Sequence, residues 1–390
     1  MTETLHTILK KIYYDYLPNS LRKYYGPKID RLYSLIYRLY AAIGDLYLPV
    51  TCLTGHDADI HSQVRILIAG KENASPYFIK RLNLPELATT SRTRQGNTSL
   101  WNVSQINKGQ AQAIIIEADR CFSSYLRAKG FITIPNWIGF TLDLSMPPED
   151  ILNKYKKRDW SNYRKIVRHQ YSYEAVHDAS MVDLFYHKMY LPYITSRHGD
   201  LSHTESLAYV KNLMHYGELL LVKENNEYVG GFMMNTAMSP PMLVYMGILD
   251  GREDYIKNGL SPAMYYFAIC WAKEKGHSQL DFGHCRPFFA DGVLQFKKRW
   301  GMHVHRSTKV YRALHLLPCE PHTSLSQSLL NNPFIYEDHG QLKGMLCLDQ
   351  DITYSEDSIK ALKKHYEMPG LKDVTAISSN NLTAEPTLKS

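Results

Sequence analysis

Hydrophobic and polar positions change period several times along the chain, and each change marks an element. Residues 63–69 (QVRILIA) and 113–117 (AIIIE) are short apolar runs between polar residues and predict strands. The stretch 88–100 between them is polar, rich in Ser, Thr, Arg and Asn, and reads as a loop. Cys121 to Lys129 suits a short helix stopped by Gly130. Ile132–Ile134 and Trp137–Leu144 read as strands broken near Pro135. Three helical patterns follow: Pro148–Gln170, which is strongly basic, then Met181–Arg197, then His203–Tyr216, closed by Gly217. Glu218–Lys223 and Tyr228–Ala237 flank the polar turn 224–227 and predict a hairpin, with Met242–Leu249 as a third strand. Ser261 and Pro262 have the form of an N-cap and first-turn proline. The helix they would open, Ala263–Lys275, is apolar nearly all round and therefore predicted to be buried, with Gly276 ending it. A strand at Ser278–Phe282, a helix opened by Asp291 and Gly292, and a strand at Arg306–Leu314 complete the patterned region. Phe334–Asp349 has weaker strand character, Glu356–Tyr366 suits a short helix, and the polar end after residue 377 is expected to be disordered.

This order predicts an α/β (α+β) chain with mixed, mostly antiparallel sheets and flanking helices. Four segments are expected: a basic, Tyr-rich helical segment at 1–60, two units at 61–145 and 146–318, and a C-terminal extension at 319–390. In the first segment Ile29, Leu32, Tyr33, Ile36, Leu39, Tyr40 and Ile43 follow helical spacing, while Lys28, Arg31 and Arg38 occupy other positions. Such a helix suits peripheral contact with an anionic membrane, or packing on the protein's own core.

With 390 residues, 44% hydrophobic and 21% charged, the chain can bury a substantial core. The net charge of +7 suits anionic ligands such as phosphates, a nucleotide cofactor, tRNA or acidic lipid, and is too small for a dedicated nucleic-acid binder. The six cysteines, at 52, 121, 270, 285, 319 and 347, form no CxxC pair. That argues against a zinc site and a disulfide framework and fits a reducing cytoplasm. No signal peptide is read at the N-terminus, and no apolar run approaches the roughly 18 residues of a bilayer span.

One residue breaks the hydrophobic pattern. In the 292–300 helix, at about 100° per residue, Val293, Leu294, Phe296 and Trp300 share an apolar arc, and Lys297 falls in its middle. A lysine there needs an anionic partner, a snorkelling path to water, or a lowered pKa.

The block containing it, Asp281 to Gly301 (DFGHCRPFFADGVLQFKKRWG), resembles the "DFG..RPF..DG.L.FK..WG" block of the FemAB/CelD-like branch of the GNAT acyltransferase superfamily. GlyPhe at 130–131, the LDLS run at 142–145, and Lys157, Arg158, Arg164, Ile166 and Arg168 match that branch's leading strand and basic helix. The resemblance spans roughly residues 110–315 and implies tandem GNAT-like halves. It implies an N-acyltransferase that moves an acyl group, with acyl-CoA as co-substrate and no metal, to an amine of a sugar, peptide or amino-lipid precursor. Its Fem-type members imply the alternative of aminoacyl transfer from tRNA, and a non-catalytic glycan- or peptide-binding module is the competing class. The family's Phe-Lys pair falls on Phe296 and Lys297, making Lys297 the expected oxyanion stabiliser. Two departures stand out. His284 and Cys285 replace the usual small pair, and only Asn258 to Ser261 stands where a Gly-rich phosphate loop is usual.

Amine acylation needs a proton route, oxyanion stabilisation and alignment of two substrates. Asp281 is the candidate carboxylate, or else a cap for the following turn. His284 is a candidate proton shuttle, or a structural histidine. Arg286, on an extended turn before Pro287, is a candidate clamp for phosphate or carboxylate, or a structural ion pair. Tyr245 is assigned to substrate binding on the 242–249 strand. Gly259 and Ser261 are assigned to donor phosphates at a helix N-terminus. Cys285 is read as a packing residue.

Overall fold

The computed structural model describes residues 35–36, 38–56, 63–71, 75–81, 91–103, 111–146, 148–198, 204–307, 310–319, 324–349 and 351–378. The described residues form two units. One draws on Phe140–Gly283 and Arg299–His303, the other on Ser34–Gly139, His284–Lys298 and Val304–Ser390. The boundaries expected from the sequence cut across both.

The second unit is built on a nine-stranded sheet. Its strands are β1 (Tyr47–His56), β2 (Gln63–Ala69), β3 (Ser91–Ser99), β4 (Ala113–Asp119), β5 (Ile132–Pro135), β13 (Arg312–Pro318), β14 (Phe334–Asp338), β15 (Gln341–Leu348) and β16 (Val374–Ser378). They run in the order β16-β15-β14-β5-β13-β4-β2-β1-β3. The pairs β2–β4 and β15–β16 are parallel and the other pairs antiparallel. β4 (AIIIEAD) is buried at every position, as a continuous apolar run in a central strand should be. Ile114 and Ile116 pack with Leu48, Val50 and Phe131, and Ile115 packs with Ile66, Phe78, Phe288 and Phe334.

Three expectations change here. The stretch 88–100, read as a loop, contains strand β3. It is an edge strand with seven exposed positions, so no apolar alternation betrays it. The 1–60 segment, read as helical, gives way to β1 at Tyr47, and its first 34 residues lie outside the described ones. The 319–390 segment, read as an extension, contributes β14, β15 and β16 to this sheet. The polar end beyond residue 378 lies outside the described residues.

Polar side chains are buried beside this core. His315 on β13 is fully buried and its Nδ1 lies 3.1 Å from Thr133 Oγ1. Burial, reinforced by the Arg312 cation, lowers its pKa to about 3. Between that value and the ordinary 6.5, the unfolded chain binds the extra proton, so stability falls as pH drops through this window. Wild type is expected to lose about 2–3 kcal/mol at this site between pH 6.5 and 4.5, and His315→Gln to escape that loss. Urea unfolding at the two pH values measures it. Equal losses in both proteins would assign the acid sensitivity to other groups.

The other sheet has seven strands. They are β6 (Ile138–Asp143), β7 (Ser172–Val176), β8 (Gly217–Glu224), β9 (Glu227–Asn235), β10 (Met242–Ile248), β11 (Gln279–Cys285) and β12 (His303–Arg306), in the order β12-β6-β11-β10-β9-β8-β7. β7 to β10 form an antiparallel meander. The β8–β9 turn has Asn225 and Asn226 at φ 50° and 66°, the left-handed pair a tight hairpin requires. The strand expected at 306–314 is two strands, β12 and β13, one in each sheet. The helix expected at 181–197 is broken into Ala179–Leu184, a π-helical turn at Phe185–Tyr190, and Leu191–His198.

The buried helix Leu260–Glu274 joins β10 to β11, with Leu260, Met264, Phe267 and Trp271 in the core. Its cap is Gly259, at φ 88°, and Ser261 lies in the first turn, not at the cap as the Ser-Pro pattern predicted. A Cβ on residue 259 would be strained by that φ and would sit 3.0 Å from Lys165 Cβ.

Candidate active site

The eight candidate residues divide evenly between the units. Asp281, Tyr245, Gly259 and Ser261 lie in one, and Lys297, Phe296, His284 and Arg286 in the other.

In the first group the informative feature is how β10 meets β11. The strands are parallel and pair at one position, Met242 with Asp281, before they part. Asp281 therefore stands where the strands separate, within β11 and not at its end, because the strand continues to Cys285. Its Oδ1 accepts the Gly283 N–H at 2.7 Å. Gly283, at φ 70°, makes that tight turn of the carboxylate onto the backbone possible. The turn-capping alternative for Asp281 is thus realised in the structure.

Tyr245 sits on β10 just past a bulge in its pairing with β9. Its ring lies 5.1 Å from that of Tyr190 in the π-helical turn. Burial, with Tyr209, Glu205, Tyr190 and Tyr216 nearby, raises its pKa, so at neutral pH it keeps its proton. That excludes it as a resting base and leaves it as a hydroxyl donor or packing residue.

At the start of the 260–274 helix, the Gly259 N–H already donates to Ile256 O at 3.1 Å. The remaining first-turn amides belong to Leu260 and Ser261, since Pro262 has none. A residue not assigned to this place from the sequence stands over it. Lys165, from the Pro148–Arg168 helix, packs its stem on Gly259 and donates from Nζ to Lys257 O at 2.8 Å. On the same helix Arg164 and Arg168 are exposed, while the side chains of Lys156, Lys157 and Arg158 lie outside the described residues.

The second group centres on the helix Gly292–Arg299. Asp291 caps it, with Oδ1 accepting the N–H of Val293 (2.9 Å) and of Leu294 (3.0 Å), and the Tyr77 hydroxyl donates to its Oδ2 at 3.1 Å. Lys297 is 1% exposed, and with Leu294 it forms the buried face of this helix. Val293, placed on that face by the helical wheel, is exposed, and Phe296 is half-buried. Lys297 does not snorkel: its Nζ donates to the carbonyl of His284 at 3.2 Å.

Cys285 is next along β11. Burial drives its pKa to about 12 despite the nearby Lys297 cation, and its Sγ reaches the Arg286 carbonyl at 3.4 Å. A thiol held protonated fits packing and excludes a resting thiolate nucleophile. Arg286 is held by groups far away in sequence. Its guanidinium lies 4.0 Å from the Trp137 ring centre and 4.6 Å from that of Tyr77, and Nη1 donates to Asn136 O at 3.1 Å. These contacts fix Arg286 in place, and among the described residues no carboxylate forms a close ion pair with it. His284 is half-buried. Among the described residues, no group of three or more His, Cys, Asp or Glu is arranged to hold a metal ion.

No protein-family model matches the chain, and a search of curated proteins gives no match. Solved structures do superpose. FemX is similar at 14% identity and a TM-score of 0.36, over 68% of this chain and 83% of that one. L-PGS from Bacillus licheniformis is similar at 13% and 0.32, over 68% and 83%. A GCN5-related N-acetyltransferase-like protein from Streptococcus suis is similar at 11% and 0.28, over 68% and 83%. Each unit contains a mixed sheet, and in one of them a buried helix joins two parallel strands that part after a single pair.

Proposed function

We propose that the protein is an N-acyltransferase that takes an acyl group from acyl-CoA and places it on the amine of a sugar, peptide or amino-lipid precursor. The observation that carries this reading is the parting of β10 from β11 around the Leu260–Glu274 helix. Parallel strands that separate leave facing backbone donors and acceptors without ladder partners. An extended, amide-bearing arm can pair there as an added strand does. The positive end of the connecting helix, with Lys165 over its start, suits phosphates at the far end of that arm. A pantetheine arm ending in phosphates has both parts.

In this reading the amine attacks the thioester carbonyl to give a tetrahedral oxyanion, and Lys297 is the cation that the sequence resemblance assigns to its stabilisation. Buried away from water, its charge acts through a low-dielectric medium. Collapse of the intermediate forms the amide and expels the CoA thiolate, which takes up the proton released by the amine. Asp281 orients the amine through Oδ2, the carboxylate oxygen not turned onto Gly283.

The test is donor binding. Calorimetry should detect acyl-CoA binding that weakens with salt, with a shallow slope because few phosphates are contacted. Lys165→Ala is expected to weaken it by about five- to tenfold and flatten the slope further. It is the cleaner probe, since a side chain at Gly259 would strain the cap itself. Steep salt dependence with aminoacyl-tRNA, and none with acyl-CoA, would replace the donor with tRNA. Binding of neither would leave a non-catalytic binding module.

A further inference from the structure

Residues 35–36 and 38–44 form a helix whose polarity is inverted. Its charged member faces the protein. Arg38 donates from Nε to Asp119 Oδ2 (3.2 Å) and from Nη2 to Oδ1 (3.3 Å), and its guanidinium lies 4.2 Å from the Tyr311 ring centre. Just past the helix, buried Asp45 accepts the Asp119 N–H at 2.8 Å and pairs with Arg312 at 2.7 Å. These bonds fix the helix's rotation. At about 100° per residue, Ile36, Leu39, Tyr40 and Ile43 then share the opposite arc, with Leu35 between that arc and Arg38. All five are exposed, Leu39 at 56% and Ile43 at 66%.

The apolar surface continues beyond the helix. Leu46 and Tyr47 are exposed, and the Leu100 N–H donates to Leu46 O at 3.0 Å, which brings exposed Trp101 beside them. Isolated exposed hydrophobes are ordinary, but eight joined in this way mark a docking surface.

The rim of this surface is cationic. Further out, Arg92 and Arg94 are exposed on β3 opposite Leu53 and Thr51, six and four residues along β1 from Tyr47. Lys129 lies 6.0 Å over the Tyr125 ring, itself 4.6 Å from the Trp101 ring. The carboxylates of Asp45 and Asp119 are turned inward and paired. A symmetric dimer through this face would set like charges against each other. Aliphatic residues at the centre, Trp and Tyr beside them and cations around the edge match the layers of an anionic membrane surface.

We propose that this face seats the protein on an anionic lipid bilayer, with Leu35, Ile36, Leu39 and Ile43 at the acyl boundary and Arg92, Arg94 and Lys129 on the head groups. It is a surface contact, since among the described residues no helix is long and apolar enough to cross a membrane. The inference does not depend on the acyl-transfer reading.

The experiment is sedimentation of the full chain with phosphatidylcholine vesicles, with and without one part in three of phosphatidylglycerol. Binding is expected on the anionic vesicles, weakened several-fold by high salt. The double change Leu39→Asp with Ile43→Asp should cut it more than tenfold while leaving the circular dichroism and Tm unaltered, because both side chains are exposed. Arg92→Glu with Arg94→Glu should cut it more than tenfold on anionic vesicles, about fivefold or more for each charge. Trp101 emission should shift to the blue on vesicles, and the shift should vanish in Trp101→Phe. Absence of vesicle binding, or binding that survives both double variants, overturns the proposal. So does a vesicle-free dimer that Leu39→Asp with Ile43→Asp converts to monomer. So does solvent protection of Leu39 and Ile43 in the vesicle-free protein, which would assign the face to residues 1–34 of the same chain.

Discussion

Changing Lys297 to Met is expected to lower turnover by about 10²–10³ while leaving a folded protein, the usual cost of losing one oxyanion-stabilising group. The fold tolerates the change because two effects oppose each other. The His284 carbonyl loses a donor, which costs about 1–3 kcal/mol, but the protein no longer has to desolvate an ammonium. Methionine keeps most of the side-chain volume, so the contacts beside Leu294 need not collapse. The measurement is release of the CoA thiol from acyl-CoA in the presence of an amine acceptor, with donor affinity followed in parallel. Loss of kcat at unchanged donor affinity is the expected pattern, since the interaction is strongest in the transition state. Undiminished turnover in a folded Lys297→Met protein would make the lysine a structural tether for β11.

That lysine shows what a sequence pattern can and cannot convey. Its burial was legible because a 3.6-residue period counts faces, and one charged residue fell on the apolar one. The arc's edges were not legible. Val293 is exposed because the helix is only eight residues long and its direction is set by the Asp291 cap and the chain before it, not by its own apolar moment. Strands β2 and β4 and the β8–β9 hairpin were readable for the same reason as the lysine: burial on one or both faces imposes a period. Strand β3 imposes none, because the sheet edge exposes both of its faces. The helix start at Gly259 was misread because Ser-Pro is a good cap signal locally. The observed cap is the left-handed backbone of Gly259, whose carbonyl accepts the Ala263 N–H, and a left-handed glycine before Ser-Pro leaves no stronger local mark than the Ser-Pro pair itself. Arg286 was readable as a fixed extended residue from its proline, but Tyr77 and Trp137, which hold it, are distant in sequence and leave no local mark.

The buried ion pair of the nine-stranded sheet was equally invisible, and it gives the largest expected loss of stability. Changing Glu337 to Ala should cost about 3–5 kcal/mol, the range for breaking a buried pair by removing one partner. Glu337 on β14 is 7% exposed and pairs with Arg120 Nη2 and with Arg306 Nη2 at 3.0 Å. Burial lowers the Arg120 pKa, and the Glu337 carboxylate is what opposes that, while Arg306 and Arg38 act against the charge. A guanidinium cannot escape by losing its proton, so the penalty falls on the fold. The Ser307 and Val310 carbonyls, at 3.2 and 3.4 Å from Arg120 Nη1, remain as acceptors but carry no full negative charge. The loss should also reach the candidate site. The Ile335 N–H on β14 donates to Pro287 O at 2.7 Å, and the Phe289 N–H donates to Pro333 O at 2.9 Å, so β14 holds the segment between Arg286 and the Lys297 helix. Loosening β14 should therefore lower turnover at temperatures where the protein is still mostly folded. Urea unfolding of Glu337→Ala, beside the double change Arg120→Leu with Glu337→Leu, separates charge from packing. The double variant removes both ions and should recover much of the lost stability. A loss below about 1 kcal/mol in Glu337→Ala would mean that water reaches Arg120 as it does a surface ion pair, and that the pair does not organise β14.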